Sequence, residues 1–197
     1  MNTPAESLAL LARALDQLGT LLSRVGQEQA ALATPCRSWN VRQLVSHVVD
    51  EVDRFAASTA TGERGHGAGD PIGQDVSGWP DAYQAAAGRL LATWHTPGAY
   101  EREQHLPGGT VPASWSLRQQ LTELTVHAWD LAKATGQSTD LDPELGAAAL
   151  GFGLANLPPE IRGEESAGHQ IGAEVTVPDD GPLYDRLAAF CGRNPSH

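Results

Sequence analysis

Lysine is almost missing from this 197-residue chain, where Lys133 stands alone among 13 lysines and arginines. That bias, beside abundant alanine and glycine, is the mark of a GC-rich coding sequence. Basic residues are few as well: 24 acidic side chains against 13 basic ones leave a net charge of −11. Nucleic-acid and anionic-membrane partners are therefore excluded, since both need clustered Lys and Arg to replace counterions. The acidity serves solubility. Only two cysteines occur, Cys36 and Cys191, which excludes a disulfide framework and a cysteine-built zinc site. Long uncharged apolar runs are absent, so no membrane span is expected. The opening MNTPAESLAL lacks the basic start of a signal peptide, and a cytoplasmic protein is expected. Neither G-x-S-x-G nor G-x-x-x-x-G-K-[ST] occurs, which removes the serine-hydrolase and phosphate-loop readings.

What is present is helical. A chain of this length makes one domain, or one domain with an appendage. Thr3, Pro4 and Glu6 form an N-cap, a first-turn proline and the third-position acid of a capping box. Leu8, Leu11, Leu15, Leu18 and Leu22 then recur at helical spacing to about Val25. A second helix starts at Asn40, with Gln43 completing its box and Val41, Leu44, Val45, Val48, Val52 and Phe55 as its stripe. A Gly-rich loop over 62–80 follows, of a length that is functional or disordered in compact domains. A third helix is predicted over Asp81–His95. After a short extended segment, Ser116 is predicted to cap a fourth helix ending before Gly136. A fifth covers Pro143 to about Asn156, and the tail reads as an extended piece, a turn and a short helix. Four amphipathic helices with longer loops predict an all-α four-helix bundle. The bundle is assigned to 1–160, with 161–197 as an extension packed on it.

Two of these helices repeat each other. Trp39-Asn40-Val41-Arg42-Gln43 is echoed by Trp115-Ser116-Leu117-Arg118-Gln119. Counted from each cap, His47 and Glu123 hold one position, and Glu51 and His127 hold the next, a turn later. Both pairs lie on one edge of their apolar stripes, roughly 70–120° from the centre. Residues four apart stack on a helical face, so His47, Glu123 and His127 can meet between packed helices, with Glu51 near. A buried glutamate between two imidazoles needs a positive charge, and two nitrogens with one oxygen suit zinc. Three protein ligands leave a coordination position open. The bland alternative is an exposed i,i+4 pair and a surface histidine.

Three stretches also resemble a known family. TPCRSWNVRQLVSHVVDE, ELTVHAWDLAKATGQ and AEVTVPDDGPLYDRLAAFCGRNP resemble signatures of the mycothiol-dependent maleylpyruvate isomerase family, notably its short actinobacterial members, within the DinB/YfiT-like superfamily. The resemblance implies a DinB-like four-helix bundle and a divalent metal, normally zinc, on His47, Glu123 and His127. It leaves Glu51 outside the ligand set. The isomerase that names the family is longer, so the resemblance carries the metal site rather than that substrate.

The expected activity is thiol-dependent: a low-molecular-weight thiol such as mycothiol at the open metal position, for isomerisation or S-transfer on a small electrophile. Glu51, Asp50 and Asp130 are candidates for orienting the ligands, the two aspartates because each stands three residues beyond a histidine. Arg42 and Arg118 are candidates for steering an anion. Cys36 precedes the second helix, where the helix dipole lowers a thiol pKa, although a packing role in the turn is the simpler reading. The alternatives are a hydrolase using zinc-bound water, with Glu51 as base, and a non-catalytic metal-binding protein. The chain is expected to be a monomer or homodimer.

Overall fold

Thr3 caps the first helix as predicted: its hydroxyl accepts the Glu6 N–H while the Glu6 carboxylate accepts the Thr3 N–H. In the computed structural model, which describes residues 3–36, 38–67, 69–106, 109–163 and 171–196, α1 then runs Pro4–Leu22. The Asn40–Gln43 box opens α2 (Val41–Thr61), and Gly62, at φ +80°, closes it. Next, α3 (Trp79–Trp94) begins two residues before Asp81, because Pro80 suits the first turn, where no N–H is needed. The extended segment is a hairpin in which β1 (Glu103–Leu106) pairs antiparallel with β2 (Gly109–Pro112), Glu103 facing Pro112.

The start of α4 corrects the sequence reading. The helix spans Ala113–Thr135, continuing directly from β2, and Ser116 lies inside its first turns instead of capping it. The Ser116 hydroxyl is buried and donates to Gln104 Oε1 at 2.8 Å, a partner supplied by β1. The echo between residues 39–43 and 115–119 is thus one of sequence, not of helix position. The far end holds: Gly136 terminates α4 at φ +68°. Asp142 caps α5 (Pro143–Asn156), and the tail forms α6 (Leu183–Phe190). Residues 164–170 of the predicted extension lie outside the described residues.

The bundle is built from two pairs, α1 on α4 and α2 on α3, closed by α2–α4 and α1–α3 packing. Leu11, Leu15 and Leu18 meet Val48 and Val52, Tyr83 and Leu90, and Leu117 and Leu121 in its core. A second apolar cluster lies on the other side of α4, where Val126 and Trp129 pack against Leu150, Tyr184, Leu187 and Phe190 of α5 and α6. α4 is therefore covered on both sides, so its polar residues are forced to find partners inside the protein. Among the described residues no helix is long and apolar enough to cross a membrane.

One polar ladder sets how α2, α3 and α4 register. Trp94 Nε1 donates to Gln120 Oε1 at 2.8 Å, and Gln120 Nε2 donates to Thr59 Oγ1 at 3.2 Å. Gln120→Leu leaves the buried indole N–H without an acceptor. That substitution is expected to lower unfolding free energy by about 1–3 kcal/mol in urea titrations, whereas an unchanged midpoint would show the ladder to be dispensable.

Candidate functional site

The seam between α2 and α4 brings the two predicted histidines together. Val48 and Val52 are buried in the core, which leaves His47 at the edge of the α2 stripe, facing α4. The His47 and His127 rings meet edge to face, with centroids 5.1 Å apart at 79°. Trp39, just ahead of the α2 cap, lies over His47 at 4.3 Å between centroids and also reaches His127 at 6.1 Å. Burial first, then the neighbouring His127, lower the His47 pKa to about 3, so this imidazole is neutral at ordinary pH.

His127 is buried, and both of its ring nitrogens have defined surroundings. Its Nδ1 lies 3.0 Å from Asp130 Oδ2, and its Nε2 lies 3.7 Å from Glu123 Oε2. Asp130 is fully buried. Burial pushes its carboxyl up, but the Arg193 guanidinium and His127 outweigh that and hold it well below the usual carboxylate range. An ionised carboxylate can only accept, so Nδ1 carries a hydrogen, and Nε2 is the ring nitrogen turned to the Glu123 side. This is the carboxylate–histidine arrangement that orients metal-binding imidazoles.

Asp130 is in turn held by residues that the sequence reading had not connected to it. Arg193, from the chain after α6, donates from Nε to Oδ1 at 3.2 Å and from Nη2 to Oδ2 at 3.0 Å. The Cys36 thiol donates to the same Oδ2 at 3.1 Å and receives Arg193 Nη2 at 2.9 Å. Burial, followed by the Asp130 charge, raises the Cys36 pKa far above its ordinary value, which overturns the lowering expected from the helix dipole. Cys36 is a hydrogen-bonded thiol rather than a nucleophile. The only sequence signal for Arg193 was its place in the final signature stretch.

Ligand-type atoms of Cys36, His127 and Asp130 lie within 4.8 Å of one another. The guanidinium of Arg193 already supplies the cation there, so this set is a closed hydrogen-bonded cluster. On the other side of the His127 ring lie its Nε2, the Glu123 carboxylate 3.7 Å away and the His47 ring, 5.1 Å between centroids. Two imidazoles and a carboxylate match the donor preferences of zinc.

The remaining candidates face elsewhere. Glu51 is raised by burial and pairs with Arg54 at 3.0 Å. Asp50, despite the same spacing from its histidine as Asp130, accepts the Gly69 N–H at 2.8 Å and ties down the Gly-rich loop. Arg42 bonds Asp70 at 2.6 Å, and Ser46 donates to the other Asp70 oxygen at 2.8 Å. The described part of the loop thus lies along α2. It passes so near that a Cβ on Gly67 would stand 2.1 Å from the Asp50 carboxylate. Trp39, Arg42, His47, Asp50 and Asp70 line an open cleft of ≈ 350 Å³ beside this strap. Arg118 lines a different groove, with Leu121 of α4 and Phe152 of α5, and takes no part in the site.

The depressed His47 pKa has a consequence for stability. Unfolding in chelator restores the ordinary value of 6.5, so the unfolded chain binds a proton that the folded chain refuses. Stability is expected to fall as pH drops from 6.5 toward about 3, at no more than about 1.4 kcal/mol per pH unit from this group. His47→Leu is expected to flatten that part of the profile in urea titrations, and an unaltered slope would contradict it.

The sequence profile of the mycothiol maleylpyruvate isomerase N-terminal domain matches residues 11–132. Two uncharacterized proteins of Mycobacterium tuberculosis, from strains CDC 1551 / Oshkosh and ATCC 25618 / H37Rv, are each 38% identical over 184 residues, which is 92% of this chain and 94% of theirs. The crystal structure of the mycothiol-dependent maleylpyruvate isomerase superposes with a TM-score of 0.60 at 19% identity, over 75% of this chain and 68% of that one. A mutant of that isomerase gives 0.60 at 18% identity, over 88% and 74%. At such identities the likeness is one of fold, and it agrees with the predicted DinB-like bundle. The profile match and the relatives together settle the family: the chain belongs to the mycothiol maleylpyruvate isomerase N-terminal domain family.

Proposed function

We propose that the protein is a zinc-dependent enzyme that uses a low-molecular-weight thiol such as mycothiol, as cofactor or co-substrate, for isomerisation or S-transfer on a small electrophile in the cytoplasm. Its metal ligands are His47, Glu123 and His127. The observation that carries this reading is the orientation of His127: a buried, ionised Asp130 holds Nδ1, and Nε2 is turned toward Glu123, 3.7 Å away. Family membership supports the thiol and the isomerase-type chemistry. A divalent ion bound there supplies the positive charge that makes a thiol ionise at neutral pH.

The chain's own contribution is positional. Asp130 fixes the tautomer and the plane of His127, and Trp39 packs on His47 and restricts its ring. Burial keeps His47 unprotonated and so able to donate a lone pair. The cleft beside His47 offers Arg42, Ser46, Asp50 and Asp70 to the polar groups of a thiol or substrate. The hydrolase alternative needs a free carboxylate as base, and Glu51, its best candidate, is committed to Arg54. In this reading residues 1–160 are the bundle that bears the site, and 161–197 are an extension whose α6 packs on α4 and α5.

Metal analysis by inductively coupled plasma mass spectrometry tests the ligand set. About one ion per chain is expected for wild type, with loss in His47→Ala and His127→Ala variants that keep their circular dichroism. Adding mycothiol to the cobalt-substituted protein is expected to produce a sulfur-to-cobalt charge-transfer band, and the band should persist in Cys36→Ala. A metal-free wild type sinks the site. Metal without the band points to the hydrolase instead.

A further inference from the structure

We propose that Arg193, in the segment after α6, is a positioning residue for the α4 half of the metal site. It acts by locking the Asp130 carboxylate that orients His127. The inference rests on the ligand assignment above, and it makes the site a composite of the bundle and the C-terminal segment.

The geometry is specific. Asp130 has no exposure to water, and its two oxygens receive Arg193 Nε and Nη2 as a two-pronged fork. The same guanidinium donates from Nη2 to Cys36 Sγ and from Nη1 to the Cys191 carbonyl at 2.8 Å. Its planar array of donors therefore joins α4, the turn before α2 and the end of α6 through one side chain. Lysine cannot copy this, because a single ammonium lacks the rigid fork.

The backbone aims that side chain inward. Gly192 takes φ +83° after α6, and the Arg193 N–H returns to the Ala188 carbonyl at 2.9 Å. A Cβ on Gly192 would stand 2.5 Å from the Gly172 Cα, so the turn is open only to glycine. Beyond it, Lys133 Nζ donates to the Pro195 carbonyl at 2.7 Å and pins the segment to α4.

Stability alone is a poor reason for this arrangement. A buried ion pair often contributes no more than an apolar replacement of equal volume, because desolvating both charges offsets their attraction. What the pair does provide is a fixed carboxylate. With Arg193 removed, Oδ2 keeps His127 and Cys36 but Oδ1 loses the donor that fixes the rotation of the carboxylate. Loss of such outer partners typically weakens metal binding about 10–100-fold.

The test combines nitrogen-15 NMR of labelled histidines in the metal-free protein with competitive zinc titration. Wild type is compared with Arg193→Met, Arg193→Lys and Lys133→Met. In wild type the His127 signals should report a single tautomer, protonated on Nδ1. Arg193→Met should mix the tautomers and weaken zinc about 10–100-fold, and Arg193→Lys should recover only part of both. Lys133→Met loosens the same segment without touching Asp130, so it should lower thermal stability while leaving the His127 signals and zinc affinity intact. If Arg193→Met fails to fold, Arg193→Lys decides by the same two readouts. Wild-type signals and affinity in the folded Arg193 variants would overturn the proposal, as would equal losses in Lys133→Met. A wild type that binds no zinc but still shows the tautomer change would overturn the metal assignment and leave the positioning role standing.

Discussion

The structure depends on one buried charge, the Asp130 carboxylate, and on where its partners come from. A carboxylate without water is stable only when donors surround it, and here they are an imidazole, a guanidinium and a thiol. Each comes from a different place: His127 from the same helix, Cys36 from the turn before α2, and Arg193 from beyond α6. Satisfying Asp130 therefore fixes two other pieces of chain relative to α4. The same act turns the other nitrogen of His127 toward Glu123.

The position of α4 makes that charge unavoidable. The helix is sandwiched between the bundle core and the smaller cluster formed with α5 and α6. A helix covered on both sides leaves only a narrow wet edge for polar residues, and many of its polar side chains are buried. Its glutamine, serine and aspartate side chains are instead built into hydrogen-bonded ladders. The same burial gives the His127 site low dielectric surroundings, in which a fixed charge or dipole acts more strongly than it would in water.

On the α2 side the requirements are looser. His47 is held by ring contacts with Trp39 and His127, and no described residue hydrogen-bonds it. Its surroundings open into the cleft walled by the Gly-rich loop, whose Asp70 and Gly69 bind back to Arg42, Ser46 and Asp50. A rigid half and an accessible half meet across the seam. That division suits the proposed site, which would hold an ion and admit a small molecule beside it.

Local patterns in the sequence determined a good deal. Caps at Thr3 and Asn40, the stop at Gly136 and the leucine and valine stripes depend on residues within a turn or two, and they predict four bundle helices in nearly their observed places. Spacing also put His47, Glu123 and His127 on stripe edges, since helical periodicity is a property of neighbours in the chain. Tertiary structure decided what spacing could not. Ser116 looks like a cap until β1 brings Gln104 to its hydroxyl. Asp50 and Asp130 stand at the same offset from a histidine, yet one secures a loop and the other orients a ring. Their partners explain it: Gly69 lies 19 residues from Asp50, and Arg193 lies 63 residues from Asp130. A side chain's offset along a helix sets its direction, but the group it meets there is set by how distant segments pack.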